Sequence, residues 1–153
     1  GALTPWKPRR RRPAVSILAV TTVLLATDSD PLFRDVDAAL ASEDTQVLRV
    51  RAGTDVLPVC QQKAPDLVIL DLQIGNMGGI ATCLAVKQEA EAGRLGPIPV
   101  ALLLDRSVDT FLAGQARADG WLIKPADSLR LRRLALALLN GDSSFETASH
   151  ATA

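Results

Sequence analysis

Short apolar runs alternate with stretches of helical periodicity along most of this chain, and this alternation limits the folds open to it. The run Leu-Val-Ile-Leu at 67–70 has no polar residue, which is typical of parallel strands covered on both faces. Each strand is followed by a predicted helix, and such crossovers are right-handed. The fold class is therefore α/β, with a doubly wound, five-stranded parallel sheet. The predicted strands are Val23–Ala26, Thr45–Val50, Asp66–Leu72, Ile98–Leu104 and Trp121–Ile123.

The helices are predicted from the spacing of their apolar residues and from signals at their ends. Asp30 can cap the first helix, which runs to Leu40, and Pro31 suits its first turn. Pro58 weakens the second helix, and Gly120 stops the fourth. The helices after the first are predicted at Gly53–Gln62, Ile80–Ala92, Val108–Ala118 and Asp127–Leu139.

Charge divides the chain into a basic arm and an acidic body. No acidic residue lies before Asp28, whereas from residue 14 onward 12 basic side chains accompany 17 acidic ones, a net charge of −5. We predict a basic arm at 1–20, one domain at 21–140 and a polar tail at 141–153. A partner attracted by charge would bind the arm rather than the body. The basic residues of the arm are Lys7, Arg9, Arg10, Arg11 and Arg12.

The arm also has the outline of a secretory signal, because its basic residues precede the apolar run 14–26. The run is shorter than the roughly 20 apolar residues that span a bilayer, and no small-residue cleavage site follows it. We favour an arm followed by a buried strand in a cytoplasmic protein, with a signal anchor as the alternative.

The partner of the arm stays open between three kinds of surface. Its arginines suit nucleic-acid phosphates, an anionic membrane or an acidic protein. Because no recognition helix accompanies them, specific recognition of a nucleic acid is not expected. We favour docking on a protein, with a position at the cytoplasmic face of the membrane as the second choice.

Polar residues follow several of the predicted strands, at the edge where doubly wound sheets bind their ligands. Four carboxylates and an ammonium at one edge predict a charged site. The motifs of dinucleotide- and nucleotide-binding loops are absent. A single histidine, His150, and two cysteines exclude a histidine-based triad and a Cys/His zinc cluster. The residues at the strand ends are Asp28, Ser29, Asp30, Asp71, Leu104, Asp105 and Lys124.

Four segments, in this order and spacing, resemble the receiver domain of two-component response regulators over roughly Thr21–Asn140. They read VLLATDSDPLFRD, PDLVILDLQIGNMGG, IPVALLL and ADGWLIKPAD. The resemblance implies a flavodoxin-like (βα)5 fold. It also implies an atypical, orphan receiver, since no output domain follows the body.

The resemblance implies roles for the residues at the strand ends. Asp71 matches the aspartate that accepts a phosphoryl group, and Lys124 matches the lysine that contacts this group. Asp28, Asp71 and the backbone carbonyl of Gln73 match the ligands of Mg²⁺. Leu104 and Trp121 stand at the two switch positions.

Several departures from the family pattern weaken this chemistry. Ser29 replaces an acid that binds the metal, so Mg²⁺ binding is expected to be weak, and Asp30 could substitute only if its loop re-aims it. Leu104 replaces a hydroxyl that bonds the phosphoryl oxygen, and loss of one such donor costs about 2.7–4 kcal/mol in hydrolytic sites. Asp105 places a carboxylate where receivers usually have a small residue. We expect Asp71 to be a partner of Lys124 rather than a phosphorylation site.

The function expected from these residues is not enzymatic. We predict a phosphorylation-independent interaction module that requires no cofactor and binds a protein through the arm and the fourth and fifth strand–helix units. The resemblance further suggests an accessory subunit of a larger assembly, such as a membrane respiratory complex of the NADH:quinone oxidoreductase type. The alternative is a phosphorylatable single-domain signalling receiver with Asp71 as acceptor.

Overall fold

The computed structural model describes residues 20–147 and contains six strands and five helices within them. The strands are β1 Thr21–Ala26, β2 Thr45–Val50, β3 Leu67–Asp71, β4 Val100–Leu104, β5 Gly120–Ile123 and β6 Ser144–Phe145. The helices are α1 Asp30–Leu40, α2 Val56–Lys63, α3 Gly79–Glu91, α4 Thr110–Gln115 and α5 Ser128–Leu139. The basic arm lies outside the described residues.

All the strand pairs are parallel, and the sheet order is β2-β1-β3-β4-β5-β6. The first five strands have the flavodoxin-like order, so the predicted fold class is confirmed. The order in which strands are added to the sheet reverses between β1 and β3, which places a crevice at the carboxyl ends of these strands.

The core has two layers because side chains alternate between the two faces of each strand. Leu24, Val68 and Leu102 pack on one face with Cys83 of α3. Val23, Ile69 and Leu103 pack on the other face with residues of α1 and α5. Strands β3 and β4 are buried at every position, as their continuously apolar sequences predict.

Helix ends differ from the predictions in three places. Ser29, and not Asp30, caps α1, because its Oγ accepts a hydrogen bond from the backbone N–H of Leu32 at 3.2 Å. A 3₁₀ turn at Gly53–Asp55 precedes α2, and Pro58 falls in the first helical turn, where a missing N–H costs little. Helix α4 is shorter than predicted because a 3₁₀ turn takes up its first residues.

The sixth strand lies in the segment 141–153, which the sequence predicts to be a polar tail. Ser144 and Phe145 pair with Gly120 and Trp121 of β5 and extend the sheet by one short strand. A two-residue strand gives no periodicity in the sequence, so this addition could not be predicted from the pattern. Within the part of the chain that the structure describes, no helix has the length and apolar character needed to span a bilayer.

Candidate functional site

The sheet register brings three of the predicted site residues to one place. Asp71, the last residue of β3, pairs with Leu103, and Leu104, the last residue of β4, pairs with Ile123. Asp105 and Lys124 therefore follow neighbouring strands at the same edge of the sheet. The Lys124–Pro125 peptide bond is cis.

Asp71 and Lys124 form a direct ion pair. The Nζ of Lys124 lies 2.7 Å from Oδ1 of Asp71, and Asp71 is only 2% exposed. Burial lowers the pKa of Lys124, but hydrogen bonds to Asp71 and Asp105 outweigh it and raise the pKa above the usual value of 10.5. The ammonium is therefore fully charged at neutral pH.

Asp105 binds the same ammonium, at 3.0 Å from its Oδ1. Its Oδ2 accepts a hydrogen bond of 2.7 Å from the side-chain amide of Gln73. Burial raises the pKa of Asp105, but the hydrogen bonds from Gln73 and Lys124 outweigh it and leave the pKa below the usual value of 3.8. The carboxylate that stands where receivers usually have a small residue is thus held in place by Lys124 and Gln73.

Gln73 was predicted to offer its backbone carbonyl to a metal ion. In the structure its backbone N–H donates to Oδ1 of Asp71 at 3.0 Å, and its side chain binds Asp105. Gln73 therefore links the two carboxylates that share Lys124.

Thr27 belongs to the site, although the sequence analysis did not identify it. It is fully buried, and its hydroxyl donates to Oδ2 of Asp71 at 2.7 Å. The same hydroxyl oxygen accepts a hydrogen bond from the N–H of Ser29 at 3.0 Å. The available signal was a hydroxyl residue directly after the buried apolar run Val23–Ala26.

The loop after β1 holds the remaining acids. Asp28 is exposed, and its Oδ2 lies 3.8 Å from the position that a Cβ on Gly75 would occupy. Asp30 accepts hydrogen bonds from Arg49 at 2.8 Å and from Arg51 at 3.2 Å, and these contacts, with that of Arg49 the larger, lower its pKa. Asp30 thus points to two arginines of the β2 end rather than replacing the acid missing at Ser29.

The predicted ligands of Mg²⁺ include only two carboxylates, those of Asp28 and Asp71, whereas the ion requires an octahedron of oxygen ligands. Both oxygens of Asp71 accept hydrogen bonds from protein groups, one of them a cationic ammonium. The hydroxyl of Ser29 is neutral and caps a helix. Across residues 20–147 no group of three or more His, Cys, Asp or Glu side chains is arranged to hold a metal ion.

The two switch positions are occupied by apolar and aromatic packing. Leu104 is fully buried in the core layer that contains Cys83. The ring of Trp121 is half-buried and lies 4.5 Å from the ring of Phe145, and its Nε1 donates to the backbone carbonyl of Glu146 at 2.9 Å. The short strand β6 therefore fixes the aromatic side chain that the resemblance associates with switching.

Glu146 anchors this strand through charge. Its carboxylate accepts two hydrogen bonds of 2.7 Å from the guanidinium of Arg130 and one of 2.8 Å from the backbone N–H of Ile123. Such a two-pronged contact between arginine and a carboxylate is stronger and more specific than a single hydrogen bond. The pair of Glu146 and Arg130 could not be predicted from the sequence, because the two residues lie on segments predicted to be a polar tail and a helix.

The comparison with protein families places the chain clearly. Residues 23–135 match the model of the response regulator receiver domain. The chain is 25% identical to the protein PilH of Pseudomonas aeruginosa over 119 residues, which are 78% of this chain and 98% of PilH. It is 34% identical over 101 residues to the DNA-binding response regulator MtrA of Mycobacterium tuberculosis, or 60% of this chain and 42% of MtrA.

The length of chain shared with these relatives varies. The match to the transcriptional regulatory protein AfsQ1 of Streptomyces coelicolor also spans less than half of that protein, 44%.

Solved structures support the same assignment. A signal receiver domain of a histidine kinase from Syntrophus aciditrophicus superposes with a TM-score of 0.71 at 27% identity, over 80% of this chain and 92% of that one. A response regulator structure from Chloroflexus aurantiacus, at 22% identity, also gives a TM-score of 0.71, over 79% of this chain and 98% of that one. Together with the family match, the fold and the aspartate–lysine pair at the carboxyl edge of the sheet show that this chain belongs to the response regulator receiver domain family.

Proposed function

We propose that this receiver domain acts as a phosphorylation-independent protein-interaction module. The observation that carries the proposal is the state of Asp71, whose two carboxylate oxygens both accept hydrogen bonds in a buried site. Phosphoryl transfer depends on an in-line nucleophile and on cationic groups that neutralise the transferred oxygens. Both oxygens of Asp71 are engaged in hydrogen bonds, and Asp71 shares its lysine with Asp105.

Two further side chains oppose phosphorylation at the same edge of the sheet. Leu104 is fully buried and has no hydroxyl to donate to a phosphoryl oxygen, and one such donor is worth about 2.7–4 kcal/mol in comparable sites. Asp105 binds Lys124 at 3.0 Å, so an incoming anion would compete with a carboxylate already in place. These losses act on the same step.

A protein partner is supported by the exposed apolar residues of the fourth and fifth strand–helix units. Phe111 of α4 is 70% exposed, Val108 in the 3₁₀ turn before α4 is 64% exposed, and Leu112 is also exposed. Leu129 and Leu136 are exposed on α5. Exposed apolar clusters of this kind often mark protein-binding surfaces. The predicted contribution of the basic arm lies outside the described residues and stays a prediction.

The narrower prediction is an accessory subunit of a larger assembly, of which a membrane respiratory complex is the example that the resemblance suggests. A cytoplasmic protein at the inner face of the membrane is consistent with that prediction. Purification of the tagged protein from solubilised membranes tests it: NADH:quinone oxidoreductase subunits should copurify in fixed ratio. Recovery of the tagged protein free of that complex would reject this partner.

The alternative is a phosphorylatable signalling receiver, which the contact between Lys124 and Asp71 favours. Incubation with Mg²⁺ and the donor acetyl phosphate or phosphoramidate, followed by intact-mass analysis, decides between the two functions. We expect the mass of the wild-type chain to stay unchanged, as that of Asp71→Asn does. A gain of one phosphoryl group that depends on Asp71 would establish the alternative.

A further inference from the structure

We propose that Thr27 is a positioning residue that keeps Asp71 unreactive. Its hydroxyl binds the carboxylate of Asp71 and thereby lowers the reactivity of Asp71 toward phosphoryl donors. This inference rests on the proposed function. It assigns part of the low reactivity of Asp71 to a residue that lies outside the family motif. Thr27 is not itself one of the residues that the family motif assigns to the metal or to switching. It acts on Asp71 through a hydrogen bond of 2.7 Å to Oδ2.

The direction of this hydrogen bond follows from the chemistry of its partners. The Thr27 oxygen already accepts a hydrogen bond from the N–H of Ser29 at 3.0 Å. An ionised carboxylate can only accept, so the hydroxyl proton of Thr27 must point to Asp71. Because both residues are almost fully buried, water cannot replace either partner.

The backbone fixes Thr27 in this position. Its N–H donates to the carbonyl of Val50 at 3.0 Å, and its own carbonyl accepts from Nε of Arg49 at 3.0 Å. The end of β1 is thus tied to the end of β2 on both sides of the Thr27 side chain. These two hydrogen bonds restrain the backbone at Thr27, whose side chain is fully buried.

The other oxygen of Asp71 is also occupied. Oδ1 accepts from Nζ of Lys124 at 2.7 Å and from the N–H of Gln73 at 3.0 Å. With acetyl phosphate as donor, an Asp71 oxygen would form a bond to phosphorus while the bond from phosphorus to the acetate oxygen breaks, and acetate would leave with the electron pair. If Oδ2 is the attacking atom, the hydrogen bond that it accepts from Thr27 must first break, which leaves the buried hydroxyl of Thr27 without an acceptor. Loss of one hydrogen bond to a charged group corresponds to about a ten- to hundredfold change in rate.

The test uses a full-length background in which the family pattern is restored by Ser29→Asp, Leu104→Thr and Asp105→Ala. In this background Thr27 is compared with Thr27→Val, which has nearly the same shape without the hydroxyl, and with Thr27→Ser, which keeps the hydroxyl. Phosphorylation by acetyl phosphate with Mg²⁺ is followed by intact mass, and beryllofluoride binding is followed by Trp121 fluorescence. Thermal unfolding checks that each variant is folded.

We expect Thr27→Val to be phosphorylated about ten- to a hundredfold faster than the background and to bind beryllofluoride more tightly. Thr27→Ser should behave like the background. Equal rates for all three, or no phosphorylation in any of them, would overturn the role of Thr27. These outcomes are separate from failure of the proposed function, which would appear as phosphorylation of the unmodified wild-type chain.

Discussion

The ammonium of Lys124 lies 3.0 Å from the carboxylate of Asp105 while it also binds Asp71 at 2.7 Å. The residue after β4 therefore supplies an anion of its own to the lysine that the family motif assigns to the phosphoryl group. At the carboxyl edge of the sheet, hydrogen bonds thus form a closed network that joins Lys124, Asp71, Gln73 and Asp105. In the proposed function, this network opposes the transfer of a phosphoryl group to Asp71.

Replacing Lys124 should cost stability rather than signalling. We expect Lys124→Met to lower the free energy of unfolding by about 3–5 kcal/mol, because it leaves the buried charge of Asp71 without its cation. Adding Asp71→Asn to Lys124→Met should recover part of this loss, because the amide carries no charge that would be left without a cation. Urea unfolding of the single and double variants measures both values, and a double variant no more stable than the single one would count against the account.

Stability should fall in acid partly through Asp105. Its pKa in the folded protein lies below the usual 3.8, so its contribution is complete above that value and is lost as the pH falls through the folded-state pKa. The difference in unfolding free energy between wild type and Asp105→Asn should therefore be constant above about pH 5 and shrink below it. A difference that grows as the pH falls would contradict the assigned direction.

The pairing of Lys124 with Asp105 and Asp71 also predicts that the stability of the protein falls at strongly alkaline pH. The pKa of Lys124 in the folded protein lies above 10.5, so its contribution is complete below that value and is lost as the pH rises through the raised pKa. Wild type and Lys124→Met should thus converge in stability only at strongly alkaline pH. Convergence near neutral pH, measured by urea unfolding, would show that the ammonium is not held as the structure indicates.

Gly53 should tolerate no side chain, because it supports the loop after Asp71. A Cβ at this position would lie 1.9 Å from the carbonyl oxygen of Met77 and 2.8 Å from that of Asn76. We expect Gly53→Ala to cost about 1–3 kcal/mol of stability and to shift the amide resonances of 72–79. Gly96→Ala is the matched control, since a Cβ there would meet nothing within 4 Å. Equal stability of the two variants would mean that Gly53 does not constrain this loop.

The pair of Glu146 and Arg130 should hold β6 against the sheet. We expect Glu146→Gln to lower the free energy of unfolding by about 1–3 kcal/mol and to shift Trp121 fluorescence to longer wavelength, because three hydrogen bonds to a carboxylate are weakened. Faster hydrogen exchange at the Ile123 amide would locate the change. Glu43→Gln, at an exposed position, is the control and should change neither readout. An unchanged Trp121 spectrum in Glu146→Gln would show that this pair does not fix the indole.

The sheet could be predicted from sequence because its strands β1, β3 and β4 are largely buried and consist mainly of apolar residues. Strands β3 and β4 are buried at every position, and their continuously apolar sequences are typical of parallel strands that are covered on both faces. The strand β6 could not be predicted, since two residues carry no period and its anchor, Glu146, is recognised only beside Arg130. Packing, and not local pattern, decides such additions.

The charged residues of the candidate site and the contact between Asp71 and Lys124 could be predicted from the sequence, but the other hydrogen bonds of the site could not. The alternation of strands with helices predicts a parallel sheet. In that sheet Asp71, Asp105 and Lys124 lie at one edge. The roles of Thr27 and Gln73 depend on distances of about one hydrogen bond between segments far apart in the chain. Ser29 illustrates the same limit, because its hydroxyl proves to be a helix cap.

The most direct test of the central claim is a titration of the Trp6→Phe variant with Mg²⁺ and then beryllofluoride, followed by Trp121 fluorescence. Trp6 lies outside the described residues, and its replacement leaves Trp121 as the only indole in the chain. The account predicts no saturable change, because Asp71 is committed to Thr27, Gln73 and Lys124. A saturable change that disappears in Asp71→Asn would contradict the account and make this chain a working phosphorylation switch.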